Sequence, residues 1–246
     1  IICDVMPLRK INRIIAINVL KNFDIKKNFM INKIFELNKI KRPFDINDLG
    51  FLIGPILNSA GRLDDPNKVV DLLCSKNDLV KENIINKLLI TNEKRKKIEK
   101  DTIDKINLKE LKQTKDGILI VYKNFFNEGI IGIIASRLKD FFNKPCIVLT
   151  KSGNLYKASA RSTLDFNIGK YIKQAIDKEM IINGGGHNLA AGFSIKKHMI
   201  PSFKEFINSM IFKKKVDLHK KFLSKISLNA VNKEFFDNLQ SISPFG

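Results

Sequence analysis

The sequence has no tryptophan, only three tyrosines and three cysteines, and 25 acidic residues against 44 lysines and arginines. Cys3, Cys74 and Cys146 are far apart and odd in number, which excludes a disulfide framework and lacks the spacing of a metal knuckle. A reducing cytoplasm is the compartment such usage suits. No apolar run reaches the ~18 residues of a membrane span, and charged residues interrupt every candidate, so no membrane partner is expected. No signal peptide, internal repeat or low-complexity tract is visible. A disordered basic tail is excluded as well, because 44% of the residues are hydrophobic and they are spread along the chain. The length of 246 residues suits one large or two modest domains.

Arginine is scarce too, with seven beside 37 lysines. Abundant Lys, Asn and Ile are what AT-rich coding produces, and such drift can supply much of the net charge of +19; a surface selected for nucleic acid is the alternative. Drift makes each remaining arginine informative, since a planar bidentate donor is what a lysine cannot replace. Arg62, Arg137 and Arg161 are the positions to follow. The chain starts at Ile1 rather than Met and stops at Ser243-Pro244-Phe245-Gly246, where a turn would begin; a piece of a longer protein is expected.

Hydrophobic periodicity predicts an opening strand over 1–6 and an amphipathic helix from Arg9 to Phe23, with Ile14, Ile15, Val19 and Leu20 on one face. A second apolar-periodic stretch covers Phe29–Ile40. A third begins at Asp45 as N-cap and ends at a turn at Gly61; Pro66 opens the next helix. From Asn77 to Lys112 there is neither Gly nor Pro, which predicts a long connecting helix with a break near Asn107. Strands at Gly117–Tyr122, Cys146–Thr150, Tyr156–Ala160 and Ala190–Ile195 then alternate with helices at Ile130–Phe142, Ile168–Ile176 and Pro201–Phe212. This grammar marks an α/β chain of two domains, with the boundary in the long helix.

Three segments carry candidate chemistry. Gly184-Gly185-Gly186-His187 sacrifices backbone entropy, which close approach to a ligand offsets, and the imidazole adds a donor for a phosphate oxygen or base edge. The alternative is a tight turn whose His satisfies a neighbouring carbonyl. Ser159-Ala160-Arg161-Ser162 ends a strand and Asn167 opens the next helix, so hydroxyl, guanidinium and helix N-terminus stand together as for an anion; a plain strand end explains them almost as well. Gly129–Arg137 starts a helix with small residues that allow close packing. Gly54–Pro66 reads as a polar, turn-rich connection in which Asn58 and Arg62 can reach a phosphate or a metal-bound group, while Asp65 serves equally as an N-cap. Asp4, at the end of the opening strand, is placed like a metal ligand at a sheet edge, and one carboxylate does not make a metal site.

In their order, these segments resemble the DHH phosphoesterase superfamily. Cys3-Asp4-Val5-Met6-Pro7-Leu8 is similar to the strand that supplies the last metal-ligand aspartate of the catalytic DHH domain. Gly54–Asp65 resembles its Asn-Ala-Ala-Gly-Arg-Leu motif, with Ser59 at the first Ala. Gly129–Leu138 is similar to the Gly-Val-Ile-Gly-Ile-Val-Ala-Ser-Arg-Leu helix, with Asn127 where the family often has His. Ser159–Ser162 with Gly184–Gly192 resembles the signatures of the DHH-associated domain. The Asp-x-Asp and Asp-His-His motifs, which hold most of the metal ligands, are absent from the sequence.

The resemblance implies that residues 1–76 are the end of a DHH catalytic domain, 77–114 a connecting helix and 115–213 a DHH-associated substrate-binding domain. Residues 214–246 would begin the segment leading to an oligonucleotide-binding domain. It further implies a parent that is a 5′-to-3′ exonuclease on single-stranded DNA in repair and recombination, with two Mn2+ or Mg2+ ions, cytoplasmic and monomeric. Asp4, Arg62 and His187 would be catalytic, with Asp4 on the metal. Asn58, Ser159, Arg161, Ser162, Gly185, Gly186 and His187 would bind substrate. The fragment itself would be inactive for want of metal ligands. Two alternatives remain: a phosphodiesterase of the same superfamily for oligonucleotides or cyclic dinucleotides, and a nucleic-acid-binding module without catalysis.

Overall fold

The computed structural model describes residues 1–3, 6–212 and 224–245. They divide into two compact units: residues 1–94 with those from 224 onward, and residues 95–212. Asp4 and the 214–223 part of the expected C-terminal segment lie outside the described residues.

The described part of the first unit is helical. It contains α1 (Lys10–Asn22), α2 (Phe29–Leu37), α3 (Gly54–Leu63), α4 (Asn67–Cys74) and the first part of α5 (Asp78–Asp104). Its core joins Ile31, Ile34 and Phe35 of α2 to Ile56 and Ala60 of α3, Leu72 of α4 and Ile85 and Leu88 of α5. The strand expected over 1–6 is not formed among the described residues: Ile2 and Cys3 turn, and the Met6 N–H returns to the Ile1 carbonyl at 3.0 Å. A strand needs a ladder partner, and the first unit offers none among its described elements. The apolar face of α1 is also left open, with Ile14, Ile15 and Val19 exposed and Ala16 buried.

The Gly54–Pro66 segment is a second correction. Gly54–Leu63 is the helix α3, continuing a π-helical stretch, Asp48–Ile53, and it runs straight through Gly61. Gly54 serves close packing here, since a β-carbon would stand 2.8 Å from the Leu49 carbonyl oxygen and 3.0 Å from Cys3 Sγ. Pro55 follows in the first turn, where a missing N–H costs nothing. Upstream, Asp45 caps as expected: its Oδ1 accepts from the Asn47 N–H at 2.6 Å while Asp48 Oδ2 accepts from the Asp45 N–H at 2.9 Å. Arg42 closes a bidentate pair on Asp48, at 2.6 and 2.9 Å. Burial pushes the Asp48 carboxyl up, but the Arg42 donors and the Asp45 amide outweigh it and hold the group below the ordinary carboxylate range.

Asn77 caps α5, accepting from the N–H of Leu79 at 2.9 Å. The expected break is real: α5 stops at Asp104, and Asn107 Oδ1 accepts from the Glu110 N–H to start α6 (Leu108–Gln113). In the second unit β1 (Leu119–Tyr122), α7 (Ile131–Phe142), β2 (Cys146–Ser152), β3 (Leu155–Arg161), α8 (Ile168–Asp177), β4 (Asn183–His187), β5 (Ala190–Ile195) and α9 (Ile200–Phe212) follow, and α10 (Lys233–Ser241) belongs to the first unit. The sheet order is β1-β2-β3-β5-β4, with β1 and β2 parallel and every other pair antiparallel.

Alternation along the strands sorts the two faces of this sheet. Tyr156, Ala158 and Ala160 of β3 and Ala191, Phe193 and Ile195 of β5 are buried in a core with Ile168 and Ile172 of α8 and Phe203 and Ile207 of α9. Each fully buried Ile or Phe there contributes about 1.5–3 kcal/mol of transfer free energy. The residues between them, Lys157, Ser159, Arg161, Gly192 and Ser194, point to the opposite face. There α7 packs on β2 and β3, which is why Cys146–Leu149 are buried on both sides. Beyond β3 that face is open.

Candidate functional site

The Gly-rich segment, expected as a turn, is the edge strand β4. Its pairing with β5 explains the glycines one at a time. A β-carbon on Gly184 would lie 2.6 Å from Phe193 Cβ, and one on Gly186 would lie 2.4 Å from the Ala190 carbonyl oxygen. Both positions exclude any side chain because β4 lies too close to β5. Gly185 has nothing within 4 Å of the same point. Its missing side chain leaves room on the open face.

Register places the candidate residues in two rows across the sheet. Ser159, Gly192 and Gly185 are cross-strand partners on β3, β5 and β4, and Arg161, Ala190 and His187 form the next row. The result is a shelf floored by the exposed backbone of Gly185 and Gly192, with a hydroxyl, a guanidinium and an imidazole along its borders. Arg161 Nη1 donates to Ser159 Oγ at 3.1 Å and to the Ala160 carbonyl at 2.8 Å, which fixes the plane of the guanidinium. The first turn of α7 backs it. Gly132 leaves space there, since its β-carbon would meet Arg161 Nη2 at 3.0 Å and Ser159 Oγ at 3.1 Å. His187 is exposed, and its Nδ1 accepts a long contact from the Leu189 N–H at 3.4 Å.

Neighbouring residues are already engaged. The Ser162 hydroxyl is buried and donates to the Phe166 carbonyl at 2.6 Å, so this side chain ties the turn after β3 rather than lining the shelf. Lys157 donates to Glu128 at 2.7 Å, and this bond, helped by Ser152, holds the Glu128 carboxyl below its ordinary range against a weaker effect of burial. Arg137 is a bracing residue: its Nε donates to Glu99 at 2.9 Å, and Arg95 meets the other oxygen of the same carboxylate at 2.9 Å. Gly192 is the floor residue that sequence reasoning undervalued. The alternation of small and apolar residues over 190–195 was the signal for it.

In the first unit, Asn58 and Arg62 lie one turn apart on α3 and share its outward side. Ser59 faces inward, its hydroxyl donating to the Ile56 carbonyl at 2.6 Å and the Leu88 carbonyl at 3.3 Å. Asp65 Oδ1 accepts from the Asn67 N–H at 2.9 Å, the capping role open to it from the sequence. Among the described residues, no group of three His, Cys, Asp or Glu side chains is arranged to hold a metal ion, and no helix is long and apolar enough to cross a membrane.

The DHHA1 domain family matches residues 115–213, the stretch that carries the shelf. The single-stranded-DNA-specific exonuclease RecJ of Salmonella typhimurium is 30% identical over 224 residues, covering 85% of this chain, and that of Escherichia coli is 33% identical over 177 residues, covering 67%. The chain spans 38% and 30% of the length of those two relatives. The crystal structure of RecJ from Thermus thermophilus in complex with Mg2+ superposes with a TM-score of 0.83 at 21% identity, over 100% of this chain and 38% of that one, which establishes the likeness of fold. Residues 115–213 therefore belong to the DHHA1 domain family, and the chain is a homologue of part of the RecJ exonucleases.

Proposed function

We propose that the shelf of the second unit holds a phosphate of single-stranded DNA, and that the chain is part of a 5′-to-3′ exonuclease of DNA repair and recombination, cytoplasmic and monomeric. The observation that carries this reading is the conjunction of the open Gly185–Gly192 floor with Arg161, Ser159 and His187 in adjacent rows. A flat backbone floor admits a sugar-phosphate strand. The guanidinium, oriented by Ser159 and by the Ala160 carbonyl, meets the phosphate charge without reorganising, and the imidazole of His187 stands beside it as a further polar group. The relatives' names and the 37 lysines support the choice of polyanion.

Asn58 and Arg62 of α3 are proposed as substrate contacts of the first unit, Arg62 also acting in catalysis. Asp4 is proposed as a metal ligand. A two-metal centre, with Mn2+ or Mg2+ as in the Thermus crystals, would activate water, but the described residues do not by themselves fit such a centre.

The test is binding of a fluorescein-labelled oligothymidylate by the 246-residue chain across a salt series. The logarithm of affinity is expected to fall linearly with the logarithm of salt, by roughly 0.7 for each phosphate contacted. A flat response would mean that the charge is compositional and the reading fails. The chain alone is expected to give no Mn2+-stimulated cleavage; turnover of labelled single strands would show that it holds a metal centre of its own.

A further inference from the structure

We infer that Asn167 and Gly169, at the start of α8, are positioning residues for His187, holding the turn that carries it; the inference rests on the reading that the shelf binds a phosphate. The turn between β4 and β5 has two residues, Asn188 and Leu189. Two-residue hairpin turns ordinarily take the primed geometries, with positive φ at one or both central residues, because these follow the twist of the strands. Among the described residues the non-glycine positions of positive φ are Lys10, Lys39, Asn143 and Glu179, so neither Asn188 nor Leu189 has it. This turn therefore depends on support from outside the hairpin.

That support comes from two sides. From the end of β3, the Ser162 N–H donates to the Leu189 carbonyl at 2.8 Å. From α8, the Ile168 N–H donates to the Asn188 carbonyl at 3.1 Å, and Asn167 Nδ2 donates to Asn188 Oδ1 at 2.7 Å. Asn167 acts twice, since its Oδ1 also caps α8 by accepting from the Lys170 N–H at 3.0 Å. Gly169 lets the helix come this close: a β-carbon there would stand 2.8 Å from the His187 carbonyl oxygen and 3.0 Å from the Gly186 carbonyl carbon. The Leu189 N–H that meets His187 Nδ1 belongs to the same turn, so the clamp on the backbone also orients the ring.

Asn167→Ser separates the two duties, because a seryl oxygen still caps the helix while its side chain is too short to reach Asn188. Asn188→Ala removes the other partner, and Gly169→Ala pushes helix and hairpin apart. Each is made in the 246-residue chain and in its His187→Ala variant, and affinity for a fluorescein-labelled oligothymidylate is measured at one low salt concentration together with the melting temperature. The expected result is a loss of roughly fivefold or more in the wild-type background, little or no further loss in the His187→Ala background, and a melting temperature for Asn167→Ser within a few degrees of wild type. Full loss in both backgrounds would overturn the inference by showing that α8 acts on the fold rather than on His187. So would an unchanged Asn167→Ser beside a weakened His187→Ala. If His187→Ala binds as well as wild type, the phosphate reading fails and the inference falls with it, a result distinct from the other two.

Discussion

The two candidate surfaces are built on opposite plans. On α3 the outward groups, Asn58 and Arg62, project from a helix whose inner side is sealed by Ile56, Ser59 and Ala60. On the sheet of the second unit the useful surface is the backbone itself, laid open where Gly185 and Gly192 carry no side chains and bordered by residues of neighbouring strands. Helix surfaces present single side chains at a fixed pitch. A glycine row across a sheet presents a floor. The difference teaches that glycine has two uses here, packing at Gly54, Gly184 and Gly186 and access at Gly185.

The largest expected effect breaks or upholds that distinction directly. Gly186→Ala should cost about 2–3 kcal/mol in urea unfolding, because the new methyl collides with the Ala190 carbonyl and Ala191. Gly185→Ala should leave stability within about 1 kcal/mol and weaken oligonucleotide binding instead. Equal destabilisation at the two positions would erase the division between packing and access.

Next comes the border of the shelf. Arg161→Ala should lose about 1–3 kcal/mol of oligonucleotide affinity with an unchanged melting temperature, and Arg161→Lys should not restore it, since an ammonium lacks two parallel donors. Wild-type binding by the Lys variant would show that any positive charge suffices. In the first unit, Asp48 gives a pH signature. Its folded carboxyl titrates below the unfolded value, so the stabilisation it brings is complete above about pH 4 and is lost as pH falls through the lower folded value. Asp48→Asn should flatten acid unfolding over that window; an unchanged acid limb would mean that other carboxylates dominate. The smallest effect is a count of thiols. Burial pushes the Cys146 thiol up to about 12, while Cys3 and Cys74 are exposed, so an aromatic disulfide reagent at pH 8 should titrate two thiols in the native chain and the third only after unfolding. Three at once would place β2 nearer to solvent than its buried residues indicate.

Much of the second unit was legible because its strands alternate cleanly. Tyr156, Ala158 and Ala160 inward against Lys157, Ser159 and Arg161 outward is a period of two that no helix sustains. The break at Asn107 and the caps at Asp45 and Asn167 were legible for a local reason, since a short polar side chain meets its own backbone. Three features were not. The opening strand looked right in composition, but pairing is a property of a partner and not of the segment. A turn-rich connection over Gly54–Pro66 and a turn at Gly184–Gly186 are what glycine suggests as local punctuation, whereas here the reason for it lies across space, at Leu49 and Cys3 for Gly54 and at Phe193, Ala190 and Ala191 for Gly184 and Gly186. The site residues were found by type, and their rows became visible only with register.

The division of the chain has a consequence in time. The second unit is one uninterrupted stretch, whereas the first takes its members from both sides of it, and Arg13 of α1 donates to the carbonyls of Ile242 and Pro244. During synthesis at about 5–20 residues per second, all five strands of the sheet that carries the shelf have been synthesised while α1 still awaits those acceptors. Translation thus delivers the β-sheet first and completes the helical unit last, so a released chain ending at Phe212 should already protect β3 and β5 from protease.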